Sequence, residues 1–386
     1  MITEPFHILI VFLGIISIAL ILISRFEIAR KISPVITILF CTALLANTKL
    51  IPTEHSFYKQ LSGYAVPFAV CQILLHVRFS DIKRTGLTVL KAFAVASIGS
   101  FLGCLVAGVL LNAKLNDILA GQAWKLAGPY IGTYIGGSIN FFSMWSGLEI
   151  DSPNLFAAAN AVDNLTLVPI FIFWVIAPQL LKKWYPETPL DAVSDVKQNN
   201  ESPVRLKLTD LVILTFIGFL IMILSDLVKK HIFNVWMPQI PTILIVTTIA
   251  LLFAQLSSIK KLEGARELGN FAFYLFFAAI GAMMDIPKAI SLAPVLFIYV
   301  TIIIVTQILF VLFVGRILKI DFRILAVASI AAKAGPSTVV AYTNAKNWNS
   351  LALPGVAAGL LGYAIGNYFA LAGAYLLKFI VLPGNG

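Results

Sequence analysis

The sequence contains little charge for its length. Only 12% of its 386 residues are charged and 59% are hydrophobic, whereas a soluble domain has about 25% charged and about 45–50% apolar residues. The mean hydropathy of +0.93 agrees with this composition. These values exclude an ordinary soluble domain and indicate a protein whose main solvent is the lipid bilayer.

Sequence signals of nucleotide and metal chemistry are missing as well. No Walker A, Gly-x-Ser-x-Gly, His-Glu-x-x-His or Rossmann pattern occurs, so neither ATP-driven pumping nor soluble-type hydrolysis is expected. The cysteines Cys41, Cys71 and Cys104 lie in apolar stretches without metal-ligand spacing, and we expect them to be packing residues. The sequence therefore predicts no enzyme activity, no cofactor and no metal other than a coupling Na⁺.

Long apolar runs dominate what is present. They are continuous rather than alternating, which predicts membrane-spanning helices and not barrel strands. The first run has no basic leader before it and no small-residue cleavage site after it, so we expect it to remain as a helix. Twelve apolar segments are predicted, near residues 6–24, 34–51, 62–79, 87–111, 124–148, 153–181, 208–228, 238–256, 268–284, 290–315, 324–345 and 351–381.

One long polar stretch, residues 182–207, divides these segments into two groups of six. Its polar residues and prolines are typical of a linker rather than of a second domain. The sequence thus predicts a first transmembrane repeat over residues 1–181, a cytoplasmic linker over 182–207 and a second transmembrane repeat over 208–386.

The two halves resemble each other at matched positions. Residues around Asp81 resemble those around Asp285, and the stretch that ends at Asn164 resembles the stretch that ends at Asn367. The motifs GGSINF and GPSTVV fall between these pairs, with Gly136 opposite Gly335. Short matches arise by chance in membrane sequences, but three matches in one order favour an internal duplication.

The number of crossings in each half decides whether this duplication is inverted. Six crossings per half would leave the halves parallel, whereas five would invert them. If residues 124–148 and 324–345 are not simple spans and the N-terminus lies outside, most of the 28 Lys and Arg residues fall inside, as the positive-inside rule requires. The sequence predicts an all-α polytopic membrane protein with two inverted repeats of about five spans each, plus one interrupted or re-entrant segment per repeat.

The two interrupted segments carry the predicted hinges Gly136, Gly137, Gly335 and Pro336. Glycine weakens a helix and proline removes a backbone donor, so each helix should break here and expose backbone groups that can bind a cation or an anionic group. The polar residues beside the breaks are the predicted cation or substrate ligands: Ser138, Asn140, Ser337 and Thr338. Alternatively, the small residues only let helices approach closely. Whether each segment is a re-entrant hairpin or a broken crossing helix stays open.

Asp163 and Asn164 lie about ten residues into an apolar segment, a depth near the middle of the bilayer. A carboxylate there is costly and is a functional residue by default; Asp163 could bind Na⁺, carry a proton or form a structural pair. Lys333 is either its counter-ion or a residue whose stem snorkels to the interface. Three further polar residues are weaker predictions for the pore: Asn160, Tyr363 and Asn367.

The motifs GGSINF, AANAVDNL, AKAGPSTVVAY, AKNWNSLALPGV and GLLGYAIGNY together resemble the bacterial family called domain of unknown function 819, which includes the YjcL-like membrane proteins. That family is related to inverted-repeat cation and anion transporters. The resemblance implies a core domain, here residues 87–181 and 290–381, that moves against a scaffold formed by the remainder, often in a dimer. It also implies a cation site at Asp163-Asn164, although the order of these two residues is the reverse of that in sodium/proton antiporters.

The functional prediction is a secondary transporter that moves a small solute, with organic anions among the candidates, coupled to Na⁺ or H⁺ by alternating access. One alternative is a Na⁺/H⁺ antiporter without an organic substrate, and another is a non-transport membrane protein such as an intramembrane enzyme or a receptor. We expect a bacterial cytoplasmic membrane location with the N-terminus outside. The expected partners are lipid, the solute or ion and a second copy in a homodimer, but no nucleic acid.

Overall fold

The computed structural model describes residues 2–26, 34–82, 85–181, 184–185 and 206–382. Within these ranges the chain is helical and contains no strand, which confirms the predicted all-α fold. Apart from residues 184–185 and 206–207, the predicted linker over 182–207 lies outside the described residues.

The described part of the first half contains seven helices of ten residues or more. They are α1 (Pro5–Arg25), α2 (Pro34–Asn47), α3 (Ser56–Leu74), α4 (Leu87–Leu110), α5 (Ala127–Gly136), α6 (Ser138–Gly147) and α7 (Pro153–Leu180). The described part of the second half contains six. They are α8 (Leu208–Val228), α9 (Thr242–Phe253), α10 (Ala265–Ala282), α11 (Ile286–Ile317), α12 (Phe322–Ala345) and α13 (Ala352–Val381).

Local sequence signals fix where several of these helices begin. The carboxylate of Asp285 accepts a hydrogen bond from the backbone N–H of Lys288 at 3.0 Å, and Ser152 caps α7 in the same way through Leu155. Proline follows each cap within two residues, where its missing N–H costs nothing. Asp285 therefore marks a helix end, as its position after an apolar run predicts.

Six helices in the described part are long and apolar enough to cross a bilayer: α1, α4, α7, α8, α11 and α13. The apolar helices α2 and α9 have 14 and 12 residues. At 1.5 Å per residue they extend only about 20 Å, less than the hydrocarbon core of about 30 Å. The protein is an integral membrane protein, while the count of ten spans stays a prediction.

The two halves interleave rather than pack side by side. Helix α3 packs against α10, and α4 packs against α11. The contact of α2 with α10 has a counterpart in the contact of α9 with α3, and the contact of α1 with α2 has one in that of α8 with α9. Exchanging the halves thus maps these contacts onto each other, as expected of a duplication. The inversion of the repeats stays a prediction.

Helices α5 and α6 form a hairpin. A methyl group placed on Gly132 would lie 2.9 Å from the carbonyl oxygen of Asn140, and the ring centroids of Tyr130 and Phe141 are 5.6 Å apart. In a continuous helix, residues 132 and 140 would be about 12 Å apart. The chain therefore turns back at Gly137, and the segment is a helical hairpin rather than a continuous helix.

Helix α12 folds back in the same way at Gly335. Its first residue, Phe322, packs on the ring of Trp174 at 5.8 Å between centroids, and Tyr342, near its other end, donates a hydrogen bond to the Trp174 carbonyl at 2.8 Å. A straight helix would separate residues 322 and 342 by about 30 Å. Both interrupted segments are helical hairpins.

The turn of each hairpin is a single glycine in nearly the same conformation. Gly137 has φ 72° and ψ 178°, and Gly335 has φ 75° and ψ −176°. Gly136, predicted as a hinge opposite Gly335, instead lies in the last turn of α5; it is small because the backbone of Gly362 packs directly against it. Pro336 begins the second arm of α12, where its missing N–H is tolerated.

Replacing a turn glycine should destabilise the fold. Only glycine adopts this backbone conformation readily, so Gly137→Ala should lower the stability by about 1–3 kcal/mol, and Gly335→Ala should do the same. The apparent melting temperature of the purified protein in detergent measures the effect.

Gly63→Ala is the matched control, because Gly63 is exposed within α3 with nothing within 4 Å of an added methyl group. It should leave the melting temperature unchanged or raise it. If Gly137→Ala and the wild type have the same melting temperature, the turn tolerates a side chain and the prediction is wrong.

Candidate functional site

The tips of the two hairpins meet. A methyl group placed on Gly137 would lie 3.9 Å from the backbone nitrogen of Gly335. The ring of Tyr363, on α13, lies 3.2 Å from the methyl positions of both glycines. The turns of two segments that are far apart in sequence therefore contact each other and the same aromatic ring. They lie in the interior of the protein, where irregular backbone is tolerated.

A buried ion pair lies directly behind these tips. The ammonium of Lys333, two residues before the second turn, donates a hydrogen bond to Oδ1 of Asp163. Their side chains are only 3% and 8% exposed. The hydroxyl of Thr133 donates to the other carboxylate oxygen at 3.3 Å, and the Lys333 nitrogen lies 3.7 Å from the centre of the Tyr134 ring.

Thr133 connects this pair to the first tip. Its backbone carbonyl accepts a hydrogen bond from the N–H of Gly137 at 2.9 Å, while its hydroxyl binds Asp163. Thr133 therefore contacts both the carboxylate and the turn. Because the two charges are buried, losing either one would leave the other without compensation.

The predicted polar ligands have different surroundings. Ser138 is exposed at the start of α6. Asn140 is buried and donates to the carbonyls of Gly136 and Gly362 at 3.1 and 3.2 Å, and its amide oxygen has no hydrogen-bond partner. Thr338 donates to a carbonyl of its own hairpin. The side chain of Ser337 lies outside the described part of the chain.

Three other predicted residues form hydrogen bonds away from the ion pair. Asn164 donates to the Asn160 carbonyl and amide oxygens at 2.8 and 3.2 Å, which leaves the Asn160 amide nitrogen buried without a partner. Asn367 donates to Thr247 on α9 at 3.0 Å. The structure therefore brings together Asp163, Lys333 and the hairpin tips, whereas Asn164 and Asn367 bind elsewhere.

A cavity of about 290 Å³ lies on the other side of the tips. Ser138, Pro336 and Tyr363 line one wall, and residues of α10 and the end of α3 line the opposite wall: Arg266, Asn270, Tyr274 and His76. Arg266 was not predicted. It precedes an apolar segment and so resembles an ordinary loop charge; only the fold places it opposite the hairpin tips.

A second cavity, of about 450 Å³, lies at the far end of α6, where Gly147 lines it together with Lys125, Lys229 and Lys378. Helix α6 is about 15 Å long and begins at the first cavity. Between its ends, Phe142 packs on Phe273 and Phe277 of α10, with ring centroids 5.2 and 4.7 Å apart. These aromatic side chains line the first cavity and pack against one another beside α6.

Several oxygen atoms near the tips could bind a cation, namely the Asp163 carboxylate, the Thr133 hydroxyl and the free amide oxygen of Asn140. The carboxylate already binds the Lys333 ammonium. The exposed Arg266 and the backbone N–H groups at the start of α6 instead favour an anion in the first cavity.

The ion pair should show strong energetic coupling. Asp163→Asn or Lys333→Met alone should lower the stability by about 3–5 kcal/mol, because each leaves a buried charge unpaired, whereas the double substitution should recover most of that loss. Apparent melting temperatures of the four proteins form the double-mutant cycle.

The exposed pair of Lys59 and Asp151, 3.0 Å apart, provides the matched control. Lys59→Met and Asp151→Asn should each change stability by less than about 1 kcal/mol. Additive effects of Asp163→Asn and Lys333→Met would contradict the buried pair.

Comparison with known proteins gives a family without an assigned activity. The family model described as "Protein of unknown function (DUF819)" matches residues 8–380. The chain is also 27% identical over 364 residues to a protein of Bacillus subtilis (strain 168) named "Uncharacterized membrane protein YjcL", and the match covers 89% of this chain and 90% of that protein.

Proposed function

Because the chain belongs to the DUF819 family, whose description names no activity, we propose a function from the site itself: secondary active transport of a small organic anion by alternating access, coupled to Na⁺ or H⁺. The observation that carries this proposal is the cavity between Arg266 and the two hairpin tips. Integral membrane proteins that bind solutes beside broken helices are typically transporters.

The cavity is suited to an anion. Arg266 supplies a permanent positive charge with several N–H donors, a geometry that matches carboxylates. Helix α6 begins at Ser138 on the cavity wall, so its positive dipole end lies against the bound solute. The volume of about 290 Å³ is at the lower limit of ligand pockets, which favours a small solute.

Two cavities along one interface support alternating access. The first lies between the hairpin tips and α10, and the second lies between the other end of α6 and the chain around Pro241. Movement of the hairpins relative to α3, α9 and α10 would separate Phe142 from Phe273 and Phe277 and open the second side. In this proposal the core is residues 87–181 and 290–381, and the remainder is the scaffold.

This proposal includes the location, the orientation and the oligomeric state of the protein. The protein would lie in the bacterial cytoplasmic membrane with its N-terminus outside, as a homodimer whose scaffold stays fixed. Catalysis is not part of this proposal. The coupling ion would act at Asp163.

Uptake by reconstituted protein tests the proposal. Liposomes containing the purified protein should accumulate at least one of four labelled carboxylates, namely acetate, succinate, glutamate and citrate, when a Na⁺ or pH gradient is applied. Arg266→Gln should raise the KM about 10–100-fold, since a hydrogen bond to a charged group contributes about 1.5–3 kcal/mol.

Lys261→Gln removes the same charge from an exposed position outside the cavity and should leave the KM unchanged. Equal loss in both variants would show a general charge effect and contradict the Arg266 site. Proton flux on addition of Na⁺ alone, without uptake of any carboxylate, would instead favour the Na⁺/H⁺ antiporter.

A further inference from the structure

Lys333 occupies the position at which a coupling cation would bind Asp163. Its ammonium binds Oδ1, and the Thr133 hydroxyl binds Oδ2, so both carboxylate oxygens have donors. On its other side the ammonium lies over the Tyr134 ring. The chain therefore carries its own monovalent cation at this site, and a bound Na⁺ would have to share one carboxylate with it.

We propose that the Asp163–Lys333 pair couples transport to protons and not to Na⁺. This inference rests on the proposed anion transport and names its coupling ion. A hydronium ion transfers its proton to a carboxylate oxygen of Asp163, which forms an O–H group and leaves water, and the hydrogen bond from Lys333 breaks. Lys333 keeps its three N–H groups and its charge.

Charge balance then makes the proton and the solute bind together. The closed pair is neutral. A proton alone leaves the buried Lys333 charge uncompensated, and a monoanion alone adds a negative charge beside a neutral pair. Arg266 stays positive in every state, so a bound anion lowers the local positive charge to which the proton adds. Because unpaired charge is costly in a buried site, the proton and the anion each favour the binding of the other. The result is symport of one proton with one anionic solute.

The other groups that face the pair in the described structure are uncharged near pH 7, so Asp163 and Lys333 alone set the charge of this buried site. The titratable groups that face it in the described structure are Cys104 on α4, Tyr130 and Tyr134 on α5, and beyond them Tyr299 on α11. Thiols and phenols are uncharged near pH 7. Helix α7 contributes the neutral hydroxyl of Thr166, which donates to the Asp163 carbonyl at 2.9 Å. Arg266 and His76 lie in the cavity beyond the hairpin tips.

The position of the pair allows this coupling without contact between Asp163 and the solute. Lys333 precedes the turn at Gly335 by two residues, and Thr133 binds both Asp163 and the turn at Gly137. Both turns contact Tyr363, which lines the solute cavity. Release of Lys333 therefore changes the contacts behind the two turns, whose next residues, Ser138 and Pro336, line the solute cavity.

Transport in liposomes tests the coupling ion. In Na⁺-free buffer, a gradient of about one pH unit, acid outside, should sustain about tenfold accumulation of the carboxylate that the protein accepts, from one proton per solute. A Na⁺ gradient at equal pH should add nothing. Accumulation driven by Na⁺ at equal pH would overturn the proposal.

Asp163→Asn tests the carboxylate as the proton acceptor. The neutral amide cannot take up a proton, so this variant, assayed below its melting temperature, should lose accumulation driven by the pH gradient. Asp151→Asn, in the exposed pair with Lys59, should keep it. Full pH-driven accumulation by Asp163→Asn would overturn the role of this carboxylate.

Ion binding gives a readout that does not depend on the solute. The wild type should melt at the same temperature in equal concentrations of NaCl and KCl, whereas Lys333→Gln, which vacates the cation position, should melt higher in NaCl. Na⁺-specific stabilisation of the wild type would overturn the proposal even if none of the four carboxylates is transported. Failure of uptake under every gradient would contradict the transport function instead.

Discussion

The ion pair between Asp163 and Lys333 constrains the rest of the core. Two opposite charges can be held away from water only if each finds the other and the remaining polar atoms are paired. Asp163 lies on the long helix α7 and Lys333 lies in the first arm of the α12 hairpin, so the pair holds that hairpin against α7. Thr133 holds the other hairpin to the same carboxylate, because its hydroxyl binds Asp163.

The hairpin turns are irregular backbone that the neighbouring helices enclose. Irregular backbone within a membrane needs protein or a cavity around it. Here α4, α12 and α13 enclose α5, and close approach is possible because Gly362 packs against Gly136 and Gly359 packs against Pro336. Small residues on α13 are therefore a consequence of the hairpins, since they allow helix and turn to touch.

The tips separate two chemically different regions. Behind them lies a closed, paired site with two buried charges, and in front of them lies a partly open cavity that contains an exposed arginine. The turns at Gly137 and Gly335 have almost the same torsion angles, but their surroundings differ. One half supplies Asp163 and the other supplies Lys333 and Arg266, so these charges are distributed unequally between the two halves.

The sequence by itself determined the membrane environment, the all-helical fold and the positions of the interruptions, because bilayer length, glycine and proline act locally. It also identified Asp163 and Lys333, since an ionised residue deep in an apolar segment is conspicuous. The tertiary structure alone decided that the interruptions are hairpins and that the break lies at Gly137 rather than Gly136. It alone placed Arg266 in the cavity. These features depend on contacts between segments more than a hundred residues apart, or on the direction in which the chain turns after a glycine. Hydropathy and residue spacing carry no information about either.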